Sequence, residues 1–115
     1  MWGSKPKAKV YSGFMGDTSP EQEAVLAQFK EFVKATGSNE DGKYDDYDFL
    51  RFCRARKFVL ADIQTMWKNH MEWRVKRQCD KIYQEWTFEE EEKVFEIYPQ
   101  FYHKTDKLGR PIYIE

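Results

Sequence analysis

The spacing of large apolar side chains changes once along this chain, at Pro99. Before it, apolar residues return every three or four positions, the period of a helix that buries one face. After it, two aromatic and β-branched runs flank Asp106-Lys107-Leu108-Gly109, which predicts a hairpin, or two strands joined by a turn. A helical front followed by the opening of a sheet is therefore the frame into which the other features must fit.

Four helices are predicted in that front. Ser19 can cap the first, Pro20 suits its first position and Gln22 completes a capping-box spacing. Val25, Leu26, Phe29, Phe32 and Val33 form one stripe, and Gly37 supplies a left-handed stop. The second helix should begin at Asp45 or Asp46 and run to about Lys57. The third should occupy Leu60 to Arg77, with Leu60, Ile63, Met66, Trp67, His70, Met71 and Trp73 on a broad apolar face. Only Phe58 and Val59 separate these two, so they should be neighbours. The fourth reads as "TFEEEEKVFEIYP", capped by Thr87 with Glu90 three residues on and ended near Pro99.

The expected fold is therefore mainly α: a small N-terminal bundle of about four helices, then a β-hairpin or the first strands of a larger α/β domain. The domain reading is a flexible arm over residues 1–17, a bundle over 18–98 and opening strands over 99–115. A two-stranded hairpin is marginally stable alone, so a sheet continuing beyond Glu115 is expected.

Composition narrows the functional classes. The net charge of -1 hides a segregation: residues 51–77 hold eight Lys and Arg against two acidic residues, between two acidic segments. Two cysteines do not make a disulfide framework, and Cys53 reads as a small core residue in a reducing, cytoplasmic setting. No apolar run reaches the roughly 18–20 residues of a membrane span, and the start has no signal-peptide core.

The stretch "FLRFCRARKF", residues 49–58, concentrates the basic charge. On a wheel advancing ~100° per residue from Phe49, the apolar arc holds Phe49, Leu50, Phe52 and Cys53, and Arg51 and Arg54 fall outside it, where water is expected to solvate them. Arg56 and Lys57 fall inside it, at about 340° and about 80°. One reading makes these two snorkelling cations that cap the last carbonyls of the helix. The other aims them at a cleft where an anion completes them. Phosphate suits the pair, with Arg giving bidentate donors and Lys a mobile point charge.

Other chemistry finds little support. Glu89 to Glu92 splay around a helix and suit its first turn rather than a metal. His70 and His103 have no zinc-type spacing with the cysteines, and His70 reads as a packed histidine. No phosphate loop, nucleophile elbow or HExxH motif occurs. Neither catalysis nor a cofactor is expected. Nucleic acid is disfavoured as a partner because Trp67 and Trp73 sit on the predicted core stripe.

The combination "DDYDFLRFCRARKF", "EWR" at 72–74 and "YPQFYHKTDKLGRPIYIE" resembles the CRAL-TRIO (Sec-fourteen-like) family over roughly residues 18–115, and the last motif is the specific one. The resemblance is nearest to the phosphatidylinositol/phosphatidylcholine transfer proteins. It implies an N-terminal helical bundle, then an α/β domain that encloses a lipid behind a mobile gate. By position it implies that Arg56 and Lys57 contact the phosphate of phosphatidylinositol, and that Tyr102 and Tyr113 line a phosphatidylcholine headgroup site. Cys53 departs from the pattern, standing where the family usually has a larger apolar residue.

The expected function is non-catalytic phospholipid binding and transfer between membranes, with the protein cytoplasmic and touching membrane surfaces transiently. Two acyl chains hold roughly thirty methylenes, so sheltering them takes on the order of 20 kcal/mol of apolar environment. A bundle that uses its own apolar faces cannot supply that alone, and a further lipid-binding domain is an expected partner. The alternative is a helical module or fragment that binds a protein partner and no lipid.

Overall fold

A computed structural model describes residues 3–115; Met1 and Trp2, at the head of the expected arm, lie outside the described residues. The chain divides into two compact units, through Gln78 and from Cys79 onward.

The first unit is built on three helices that all pack on one another. Helix α1, Pro20–Thr36, starts as its sequence demands: the Ser19 hydroxyl accepts from the Gln22 amide at 3.1 Å, and the Gln22 side chain accepts from the Ser19 amide at 3.0 Å. It ends on Gly37 at φ 65, whose N–H reaches the Lys34 carbonyl. Helix α2, Asp46–Ala55, has the same reciprocal cap, with Asp45 at the N-cap and Asp48 answering it. Helix α3 is Leu60–Lys76.

Leu26, Phe29 and Val33 of α1, Phe49, Leu50 and Cys53 of α2, and Ile63 and Trp67 of α3 form the core. Trp67 is its centre. Its ring meets Phe29, Phe49 and Phe52 at centroid distances of 5.6, 5.7 and 5.1 Å. Its indole N–H donates to Ser38 Oγ at 2.8 Å, so the one polar atom of the ring is satisfied. Burial pushes the Cys53 thiol up to about 11, which makes it an inert core group. His70 is half-buried beside Tyr44 and Phe52, and desolvation lowers its pKa, followed by the charges of Arg74, Arg51 and Lys43. Trp73 departs from the expected stripe and is exposed. Six residues beyond Trp67, it lies about 240° around the helix.

The second unit holds two short helices, α4 (Cys79–Glu85) and α5 (Glu91–Ile97), and a hairpin of β1 (Phe101–Thr105) and β2 (Pro111–Ile114). Five helices thus stand where about four were expected, and the packed bundle is made of three of them. Helix α4 is too short to show a period. Thr87 does not open α5, because the Trp86 and Phe88 rings stack at 5.5 Å across it. Residues two apart on a helix point to nearly opposite sides, so that stack holds 86–88 out of helical geometry. None of this unit's described residues is buried.

The hairpin turn is the expected Asp106–Gly109. Asp106 Oδ1 accepts from the amides of Leu108 and Arg110 at 2.8 and 3.0 Å, and Oδ2 accepts from Arg110 Nε at 2.7 Å. These bonds, the Arg110 amide first, hold the Asp106 carboxyl below its ordinary pKa. A carboxyl lowered by folding steadies the turn above its unfolded pKa, and that contribution is lost as the pH falls through the folded value. The turn is expected to stay closed at neutral pH and to loosen below about pH 4. The check is the Leu108 and Arg110 amide shifts, which should move together in an acid titration and stay put in Asp106→Asn.

Candidate functional site

The basic stretch does not continue α2 to Lys57. The helix ends at Ala55; Arg56 is its C-cap, and Lys57 and Phe58 both take left-handed backbone angles, φ 50 and φ 59. The Lys57 amide reaches the Arg54 carbonyl at 3.1 Å and the Phe58 amide reaches the Cys53 carbonyl at 2.8 Å. That pair of bonds is the Schellman closure, with Lys57 in the place glycine usually takes. A left-handed conformation costs roughly 1–2 kcal/mol for each residue with a Cβ. Phe58 offsets part of this by packing its ring against the core.

The bend overturns the wheel position of Arg56 and Lys57. Once the chain leaves the helix the 100° step no longer applies, and both side chains are exposed instead of facing the core. The carbonyls of Phe52, Cys53 and Arg54 are already taken by the amides of Arg56, Phe58 and Lys57. The two cations are therefore not used to cap the helix. Among the described residues, neither side chain forms an ion pair. Two adjacent, unpaired cations on a fixed bend can take a phosphate, one by a bidentate fork and one as a point charge.

The other two basic residues of the stretch differ from each other. Arg51 is exposed, as expected, and sits 3.6 Å from Asp48. Arg54 was expected in water as well, yet its Nη1 donates to the Gly13 carbonyl at 3.1 Å and its guanidinium lies 3.7 Å from the Phe14 ring centre. No local pattern marks that contact, which joins residues 41 apart in sequence.

Tyr102 and Tyr113 belong to the second unit, where the hairpin register makes them direct cross-strand partners. Their rings lie 5.6 Å apart at 57°. The register then slips by one, so that His103 and Lys104 face the single residue Ile112, with Lys104 left-handed at φ 57. The Tyr113 hydroxyl donates to Glu115 at 3.3 Å. Its pKa is raised, by desolvation first and then by that bond and by Tyr98 and Tyr102. Paired aromatic faces of this kind attract a quaternary ammonium. No group of three or more metal-ligating side chains occurs among the described residues.

Residues 23–69, from within α1 to within α3 and including Arg56 and Lys57, match the family described as CRAL/TRIO, N-terminal domain. Similarity extends beyond that domain. Over 104 residues, 90% of this chain, it is 44% identical to the SEC14 cytosolic factor of Kluyveromyces lactis, covering 34% of that protein. The Sec14 cytosolic factor of Schizosaccharomyces pombe is 38% identical over 90% of this chain and 35% of its own length. The phosphatidylinositol/phosphatidylcholine transfer protein SFH7 of Arabidopsis thaliana is 46% identical over 64% of this chain and 14% of its own length. The chain thus spans about a third of the length of the Kluyveromyces lactis and Schizosaccharomyces pombe proteins. No helix of its described residues is long and apolar enough to cross a membrane.

Proposed function

We propose that this chain supplies the headgroup-binding front of a phospholipid carrier that moves phosphatidylinositol and phosphatidylcholine between membranes. Arg56 and Lys57 hold the phosphate of phosphatidylinositol, and Tyr102 and Tyr113 flank the headgroup of phosphatidylcholine. The observation that carries the reading is the bend at 56–58, which spends backbone strain to present two cations that serve neither the helix end nor a carboxylate. On this reading residues 18–98 are the helical portion of the carrier and 99–115 the first strands of its lipid-binding domain. Its acyl-chain shelter lies in further sequence of the kind the longer relatives have. The mechanism is non-covalent: the headgroup is gripped, the chains are sheltered, and contact with a bilayer releases both. The protein then works in the cytoplasm and meets membranes peripherally and transiently.

The headgroup step can be tested on the 115-residue chain with a water-soluble probe. Glycerophosphoinositol added to isotope-labelled protein is expected to shift the amides of Arg56 to Val59 with a Kd of about 1 mM. That affinity is what two charge-assisted contacts of about 2 kcal/mol each provide. Shifts spread over the basic residues without a maximum at the bend would defeat the assignment.

A further inference from the structure

Arg54 ties two separate pieces of chain to one another. Its backbone carbonyl receives the Lys57 amide in the bend, and its side chain holds the Gly13 carbonyl and the Phe14 ring. The piece it holds is a closed turn, not a loose tail. The Ser12 amide and hydroxyl both donate to Asp17 Oδ2, at 3.0 and 2.7 Å. The Gly13 amide reaches the Asp17 carbonyl at 3.0 Å, and the Asp17 amide reaches the Phe14 carbonyl at 2.9 Å. The two Ser12 bonds, the hydroxyl first, lower the Asp17 pKa, and Lys9 lies 3.4 Å from the same carboxylate.

The turn also meets the bend directly. Gly13 is buried at φ 77, and a Cβ there would stand 2.7 Å from Cε2 of Phe58 and 3.2 Å from Cγ of Arg54. Only glycine permits both that backbone angle and that approach. The Phe58 ring is thus seated between the Gly13 backbone and the helical core, and Phe58 is the second of the two left-handed residues. A strained conformation persists only where its surroundings hold it. Here Gly13 against the Phe58 ring, Arg54 to Gly13 and Arg54 against Phe14 supply that hold.

We infer that the Ser12–Asp17 turn is a buttress for the phosphate-binding bend, with Gly13, Phe14 and Arg54 acting as positioning residues for Arg56 and Lys57. The inference rests on the reading of those two cations as a phosphate site. The buttress itself is a separate claim about the bend. Arg54 does not touch the phosphate; it keeps the two cations in the geometry that does.

The test uses the 115-residue chain with Arg54→Lys, Phe14→Leu and Gly13→Val, and two readouts. One is hydrogen exchange at the Phe58 amide, which reports the bend. The other is the glycerophosphoinositol affinity read from the amides of residues 56–59. Arg54→Lys keeps the charge and loses the planar stack, so it should weaken the probe about three- to ten-fold and speed Phe58 exchange by a similar factor. Exchange at Phe29 and Trp67 should not change. Gly13→Val should do more, and if it fails to fold the two milder variants decide. Unchanged Phe58 exchange in Arg54→Lys and Phe14→Leu overturns the buttress. Faster exchange with full affinity overturns the positioning role. Unshifted amides at the bend of the unmodified chain would instead overturn the phosphate reading, leaving the exchange data to decide the buttress alone.

Discussion

Trp67→Ala is expected to leave the first unit without a cooperative thermal transition. The indole is 1% exposed and lies among three phenylalanine rings, with Tyr44 edge-on at 5.0 Å. Removing a large buried aromatic costs about 3–5 kcal/mol through lost transfer energy and the cavity left behind. A unit of 78 residues holds only about 4–12 kcal/mol in all, at 0.05–0.15 kcal/mol per residue. The loss is therefore a large share of the total, and Ser38 also loses the indole donor. Trp73→Ala is the control: its ring is 53% exposed, and its loss should shift stability by less than about 1 kcal/mol. Far-ultraviolet circular dichroism during heating reads both. A Trp67→Ala melt within a few degrees of the unmodified chain would mean that Phe29, Phe49 and Ile63 hold the three helices without it.

What the sequence disclosed and what it hid divide along the range of the interactions. Ser19 with Gln22 and Gly37 with Lys34 act within one turn of chain, so their residue types were enough to place both ends of α1. The Asp106 turn is as local, and so was the hairpin that pairs Tyr102 with Tyr113. The stripe positions Leu26, Phe29, Ile63 and Trp67 followed from the helical period. The end of α2 did not follow. Nothing in "CRARKF" forbids two more helical residues, and the chain leaves the helix at Ala55 with Phe58 seated on the core and on Gly13, 45 positions earlier. The same turn, through the Gly13 carbonyl and the Phe14 ring, leaves Arg54 only half-buried rather than fully in water. Family likeness pointed to Arg56 and Lys57 by position, while the wheel gave them a direction the structure does not have.

The double variant Arg56→Gln/Lys57→Gln carries the largest functional effect expected on the proposed reading. Both side chains are exposed and unpaired among the described residues, so the folded chain loses nothing with them, and stability should stay within about 0.5 kcal/mol. The phosphate loses two charge-assisted contacts worth about 1.5–3 kcal/mol each. In a vesicle exchange assay on the longest polypeptide that carries residues 1–115, phosphatidylinositol transfer should therefore fall at least about 100-fold. Phosphatidylcholine transfer should change by no more than about two- to three-fold if the tyrosine pair serves that headgroup. Lys57→Gly separates charge from backbone. Glycine occupies the left-handed position without the Cβ penalty, so this variant should be as stable as the unmodified chain or more so. It should nevertheless lose most of the Lys57 share of phosphatidylinositol transfer. Full transfer by Lys57→Gly would mean that the bend exists for the fold alone and that the anion, if bound, is held by Arg56 without its neighbour.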